Sequence, residues 1–401
     1  MHLGNVVIGH NRSVRLAGSA RRWWTGALVT QSTLLPILPD YAGANVRGIV
    51  PALLGPRSWD SSLPSWMPEP VTGANQAVLL VLDGLGWDQL QERRDVAPTI
   101  AALAGGPVTT VAPTTTATAL SSIATGLTPG EHGLIGYRIL LGGEVVNVLQ
   151  WAADGESRRR SQPPSEVQRF PAFLGEEVPV VSPAELCFSA FSEGHLRGAR
   201  PVGFRATSSM AVEVRNELEA GERFVYAYYG GVDKIAHERG FGDYYDAELR
   251  AADRLVGDLL DVLPPGAVLI VTADHGQVEV GDNIITPSAE ILSMVALQSG
   301  EGRFRWLHAR RGAADDLFAA AIAEFGDTAW VHRRQQIIDD GWFGPSVPPP
   351  IAGRLGDVAV VAREPVSYHD PLDSGPFALV CRHGSMTSAE MRVPLLAGMR
   401  G

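Results

Sequence analysis

Lysine is almost missing from this chain. Lys234 is the single lysine among 33 basic residues, and 44 acidic residues bring the formal net charge to −11. An acidic surface of that kind repels a phosphate backbone, which excludes a dedicated binder of nucleic-acid polymers. Cysteine is just as scarce. Cys187 and Cys381 are too few for a disulfide framework, and no Cys-x-x-Cys pair offers a structural zinc site. Two reduced thiols in a cytosolic protein are the expectation. Long apolar runs are missing too: nothing reaches the ~20 residues that cross a bilayer. Residues 1–39 carry four arginines and no carboxylate before Asp40, without an unbroken apolar stretch ahead of a small-residue cleavage site. Residues 1–40 therefore read as a leader, disordered or an over-extended start. The expectation is a cytoplasmic protein with no membrane segment.

What remains is ample for a core. The 401 residues are 45% hydrophobic and 19% charged, with 44 glycines and 28 prolines to make tight turns. Continuous apolar runs of strand length recur at Ala77–Leu82, Phe224–Tyr229, Ala267–Thr272 and Phe377–Val380. Such runs suit strands buried on both faces of a parallel sheet. Helical patterns lie between them, at Ser208–Glu219 and Asp246–Leu263. The expected fold is α/β, with a mostly parallel central sheet flanked by helices. Residues 41–401 form the catalytic domain in this reading. An inserted α/β subdomain, about 296–372, comes from strands at 304–309, 329–332 and 358–361 with a helix at 313–324.

Each apolar run ends on a side chain that binds metals. Asp83 follows the first, Asp233 and His237 the second, Asp274 and His275 the third, and His383 the fourth. Ligands of open α/β sheets bind at the carboxyl ends of the strands. Three carboxylates and three imidazoles suit Zn²⁺, with Mn²⁺ as the alternative, and six ligands exceed one tetrahedral ion but serve two. Singly, each residue has a structural alternative: an aspartate after a strand often caps a helix, and a lone histidine is often a packed polar side chain. Their recurrence at four strand ends favours the metal reading.

A hydroxyl nucleophile is offered by Thr114, Thr115 and Thr116, where a loop after Pro113 feeds a helix that stops at Gly126. A helix start attracts phosphate through free N–H groups and the dipole. The structural alternative for a threonine there is a plain N-cap.

Together, Leu82-Asp-Gly-Leu-Gly86, Pro113-Thr-Thr-Thr with Thr125-Gly126, Pro129-Gly-Glu-His-Gly133, Asp233-x-x-x-His237, Asp274-His-Gly276 and His383-Gly384 resemble the alkaline phosphatase superfamily. The nearest match is its nucleotide pyrophosphatase/phosphodiesterase branch, the type I phosphodiesterases. That resemblance implies one zinc on Asp233, His237 and His383 and another on Asp83, Asp274 and His275, the second also touching the nucleophile. Counting back from Thr125 makes Thr116 that nucleophile and metal partner. The resemblance also leads to an expected side-chain amide that holds a phosphoryl oxygen. Ala119, three residues on, supplies none, and the Ala117 N–H is the expected substitute. The segment around His132 is expected to be structural.

The implied activity is hydrolysis of a phosphodiester or pyrophosphate bond in a small nucleotide-type phosphate ester, through a phosphothreonine. Two further readings stand beside it. One is a phosphomonoesterase or phosphonate hydrolase on the same scaffold; the other is a non-catalytic metal- or phosphate-binding protein.

Overall fold

The structure is a computed structural model that describes residues 35–55, 63–373 and 378–400. The expected leader lies almost wholly outside the described residues. In chain order the elements that build and frame the site begin with β1 (Gln76–Leu82), β2 (Ala104–Thr109) and α1 (Thr116–Thr125). β3 (Pro179–Pro183), α2 (Ala190–His195), β4 (Arg200–Phe204), α3 (Met210–Glu219) and β5 (Phe224–Tyr229) follow. Then come α4 (Gly231–Arg239), α5 (Asp243–Val262), β6 (Ala267–Thr272) and β7 (Val278–Glu279). The last group is β8 (Val295–Glu301), β9 (Phe304–Ala309), α6 (Ala314–Phe325), β10 (Ala329–Arg333), β11 (Val358–Ala362), β12 (Cys381–Arg382) and β13 (Arg392–Met399).

Among the described residues, seven strands form the central sheet in the order β2-β13-β6-β1-β5-β3-β4. β1 lies between two parallel neighbours, with Leu80 opposite Val271 on one side and Ala227 on the other. Every residue from Ala77 to Leu82 is buried, as is all of Ala267–Thr272. Helices cover both faces of such a sheet, so its central strands have no solvent face to paint polar. The α/β expectation therefore holds. The one strand that runs against the others is β13, paired antiparallel with both β6 and β2.

A second sheet, β8-β9-β11-β10, is antiparallel throughout. Strand β11 shows how it is held. Ala359 and Val361 join the main core, whereas Val358 and Val360 pack with Leu317 and Phe325 of α6. Alternation of side chains along a strand sends successive residues to opposite faces, and here both faces are dry.

One expected strand is corrected. Residues 378–380 are not in a strand, and Phe377 lies outside the described residues. The extended piece is the two-residue β12, which pairs antiparallel with β7 rather than joining the central sheet. The local apolar run was real, but the central sheet already had β13 beside β6. No helix among the described residues is long and apolar enough to cross a membrane.

Candidate active site

Three loops at the carboxyl ends of β1, β5 and β6 converge. Gly84, directly after Asp83, has φ +76°, and a Cβ there would stand 2.8 Å from the Asp233 Cβ. Glycine thus lets the end of β1 close onto α4, where the Asp233 N–H donates to the Asp83 carbonyl at 3.0 Å. Asp233 and His237 occupy successive turns of α4, so Asp233 Oδ1 comes within 3.3 Å of His237 Nε2. His383 arrives from β12 and stacks on His275, with ring centroids 3.7 Å apart.

All three imidazoles are held in the same way. Nδ1 of His237 donates to the Cys381 carbonyl at 2.7 Å, that of His275 to Gly276 at 3.1 Å, and that of His383 to Thr114 at 2.8 Å. A carbonyl can only accept, so each Nδ1 carries the proton and each Nε2 keeps its lone pair. These lone pairs face carboxylates. His275 Nε2 lies 3.5 Å from Asp83 Oδ1 and 3.3 Å from Asp274 Oδ2, and His383 Nε2 lies 3.9 Å from Asp233 Oδ1.

Each aspartate has one oxygen occupied by the protein. Tyr228 donates to Asp83 Oδ2, Gln277 to Asp233 Oδ1 at 2.7 Å, and the Gly84 and His275 N–H groups to Asp274 Oδ1, each at 3.0 Å. Asp83 Oδ1 and Asp274 Oδ2 are buried and have no hydrogen-bond partner. Burial, then repulsion from Asp274 and Asp233, pushes the Asp83 carboxyl well above the usual carboxylate range. Burial likewise raises Asp274, and burial with two neighbouring imidazoles holds His383 well below its ordinary value.

Placing carboxylates in such an interior costs several kcal/mol per ion unless a countercharge offsets it. Cations fit this cluster: acceptors face acceptors with no proton between them. Asp83, Asp274 and His275 bring one donor atom each within 4.8 Å of one another, and so do Asp233, His275 and His383. His275 reaches both sets. His237 lies outside these two compact sets and touches the cluster through Asp233.

The three threonines have different partners. Thr114 Oγ1 donates to the Ser385 carbonyl at 2.8 Å and accepts from the Gly384 N–H at 2.9 Å. Thr115, the buried N-cap residue of α1, makes no side-chain capping bond, and its carbonyl accepts from Thr118 and Ala119. Thr116 Oγ1 lies 3.1 Å from His275 Nε2. The N–H groups of Thr116 and Ala117 make no hydrogen bond within the described residues, whereas those of Thr118 and Ala119 bond to the Thr115 carbonyl. His132 is tied up elsewhere: its Nδ1 accepts from the Leu134 N–H at 3.1 Å and its Nε2–H donates to Ser122 Oγ at 2.9 Å.

Sequence reasoning missed Glu301, Tyr228 and Gln277. Tyr228 was within reach, since it stands near the end of an apolar strand that runs beside β1. Glu301 and Gln277 carried no local signal, because their contacts exist only after distant segments fold together.

A cavity of about 170 Å³ opens beside Thr116. Leu120, Leu149, Phe191, His195, Tyr226 and Tyr228 contribute to its wall, to which the described residues bring no lysine, arginine, aspartate or glutamate.

The fold has solved counterparts. Murine ectonucleotide pyrophosphatase/phosphodiesterase 5 superposes with a TM-score of 0.59 at 15% identity, over 81% of this chain and 88% of its own. Phosphonoacetate hydrolase from Sinorhizobium meliloti 1021, in complex with phosphonoformate, gives 0.60 at 16% identity, over 82% and 91%. No curated protein sequence matches the chain. The sequence profile described as type I phosphodiesterase / nucleotide pyrophosphatase matches residues 77–195 and 202–385. Over most of its length, then, this chain belongs to the type I phosphodiesterase / nucleotide pyrophosphatase family of the alkaline phosphatase superfamily, and it is a phosphoric ester hydrolase.

Proposed function

We propose that this enzyme cleaves a phosphodiester or pyrophosphate bond in a small nucleotide-type substrate, with Thr116 as nucleophile. The observation that carries the reading is the alignment of the Thr116 hydroxyl with the outward lone pair of His275, beside two unpartnered carboxylate oxygens. Asp83, Asp274 and His275 would hold one metal ion, and Asp233, His237 and His383 the other. Bound there, two Zn²⁺ or Mn²⁺ ions supply Lewis acidity, which activates a hydroxyl and offsets phosphoryl charge.

The chain's own residues do the rest. The free N–H groups of Thr116 and Ala117 receive phosphoryl oxygens at the start of α1. Thr116 Oγ1 forms the new bond to phosphorus while the ester oxygen departs. Water then cleaves the phosphothreonine and restores the hydroxyl, so two easier steps replace one. A threonine-to-alanine variant of the murine relative is described as inactive and in complex with AMP, which supports both the threonine and the nucleotide-type substrate.

Phosphonate or monoester hydrolysis is the second reading, favoured by the likeness to the phosphonoacetate hydrolase. Against it stands the cavity wall, which offers no cation to a second anionic group. The deciding measurement compares bis(4-nitrophenyl) phosphate with 4-nitrophenyl phosphate on zinc-loaded protein. The diester should show the higher kcat/KM; a tenfold preference for the monoester would replace this reading with the second.

A further inference from the structure

We propose that His195 determines substrate specificity. It is a fixed hydrogen-bond acceptor in the wall of the cavity beside Thr116, and it selects a single uncharged ring that carries an N–H donor. The inference rests on the diesterase reading above and adds the identity of the group that fills the cavity.

Size sets the first limit. An apolar cavity of ~150 Å³ is enough for one benzene ring, so about 170 Å³ takes one six-membered ring and little more. Charge sets the second. A wall of leucines and aromatic rings gives an ionised group no compensation for its lost water, and no described cationic side chain lines it.

The polar selection comes from His195 at the end of α2. Its Nδ1 lies 2.8 Å from the Phe191 carbonyl, one helical turn back. That contact requires the proton on Nδ1, which leaves Nε2 an acceptor only. The ring is stacked on Phe191 at 4.0 Å and 16°, so it cannot turn over without losing both contacts. Nε2 makes no hydrogen bond within the described residues, although the residue is only 4% exposed. Burial lowers the ring pKa to about 4, so the acceptor persists at neutral pH. Three neighbouring hydroxyls are committed as donors, Ser192 Oγ to the Leu186 carbonyl at 2.6 Å, Ser189 Oγ to Ser192 Oγ at 3.0 Å, and Tyr228 to Asp83, whereas the buried Tyr226 hydroxyl in the same wall has no partner and can serve an acceptor on the ring. A ring without a donor would seal this nitrogen from water unpaired, and such a loss is what lets a polar site reject an isostere.

A matched pair of substrates tests this: the 4-nitrophenyl ester of thymidine 5′-monophosphate and its N3-methyl counterpart, in which the base N–H is blocked. Wild-type enzyme should prefer the N–H ester by about tenfold or more in kcat/KM, mainly through KM. His195→Phe keeps the stacked ring but lacks the acceptor, and should bring the ratio close to one. His195→Gln, with an amide oxygen, should restore part of it. Thermal-shift titration with thymidine and N3-methylthymidine provides the same comparison without turnover. Equal handling of the two compounds by wild-type protein overturns the proposal, whether or not the variants fold. So does an undiminished preference in folded His195→Phe. If neither ester is hydrolysed but thymidine still binds in preference and His195→Phe abolishes that preference, His195 stands and the diesterase reading falls.

Discussion

Glu301 Oε2 stands 3.6 Å from Nδ1 of His383, on the nitrogen opposite the one that faces Asp233. Glu301 ends β8 in the second sheet, whereas His383 follows β12, so this contact joins that sheet to the ligand cluster. The carboxyl is buried, and its Oε1 has no partner. Outer partners of a metal-binding histidine typically carry about 10–100-fold in metal affinity. The Thr114 carbonyl takes the His383 Nδ1 proton, and Glu301 backs the ring at longer range without a hydrogen bond. Glu301→Ala should therefore weaken zinc binding at the low end of that range, about tenfold, read by competition with a chromophoric chelator. Glu301→Gln, which fills the same space, should recover much of it. Unchanged affinity in the alanine variant would reduce Glu301 to packing.

Metal stoichiometry tests the cluster itself. Zinc-loaded protein should hold close to two ions per chain, and chelation should abolish hydrolysis. Because His275 reaches both donor sets, His275→Ala should lower the occupancy of both sites, whereas Asp83→Asn should empty one. Elemental analysis separates these outcomes, and an absence of bound zinc in the wild type would refute the two-metal assignment.

The threonines give three distinguishable results. Thr116→Ala should lose several orders of magnitude in turnover with little change in zinc content, and Thr116→Ser should keep part of the activity. Thr114→Ala removes two buried hydrogen bonds to residues 384 and 385 and should cost roughly 1–3 kcal/mol of stability. Thr115→Ala, at the buried N-cap position of α1, should act mainly through local stability, on the ~1 kcal/mol scale of a lost cap residue. Acid-quenched enzyme should carry phosphate on the peptide containing Thr116. Near-normal turnover by Thr116→Ala, with Thr114→Ala or Thr115→Ala dead, would mean that another threonine attacks.

Acid should act through His132. Burial lowers its pKa from 6.5 to about 3, so between those values the unfolded chain binds a proton that the folded protein does not. The stabilisation is complete above pH 6.5 and declines as pH falls towards 3. At one pKa unit per ~1.4 kcal/mol, the stability advantage of wild type over His132→Gln should shrink by about 2.5 kcal/mol between pH 7 and pH 4.5. Urea denaturation of both proteins at the two pH values cancels other titrations. A constant difference would mean that His132 keeps its ordinary pKa in the fold.

The central strands were legible because burial on both faces writes an unbroken apolar run. For Asp83, Asp233, His237, Asp274 and His275 the same runs gave the address, since each sits where such a strand or its following turn ends. His383 was found by its motif, but its strand was misplaced: two residues of pairing with β7 leave almost no periodicity to read. Glu301 and His195 were invisible for a different reason. Their significance depends on what lies opposite them, across the second sheet and across the cavity, and neither neighbour is close in sequence.

Helix α1 is buried along all ten residues, and Arg47 anchors its far end through a 2.9 Å bond to the Gly126 carbonyl. The Thr116 oxygen, the proposed nucleophile, therefore inherits its position from the core, and almost any change in side-chain volume along α1 would reach it. The opposite wall of the cavity is built differently. α2 is six residues long, and Leu186 and Phe188 on its approach are 38% and 76% exposed. Substitutions there can reshape the ring-binding surface without repacking the interior. On the proposed assignment, chemistry and selectivity are carried by parts of the chain with unequal tolerance to mutation, so relatives that diverge in substrate should differ first between residues 186 and 196.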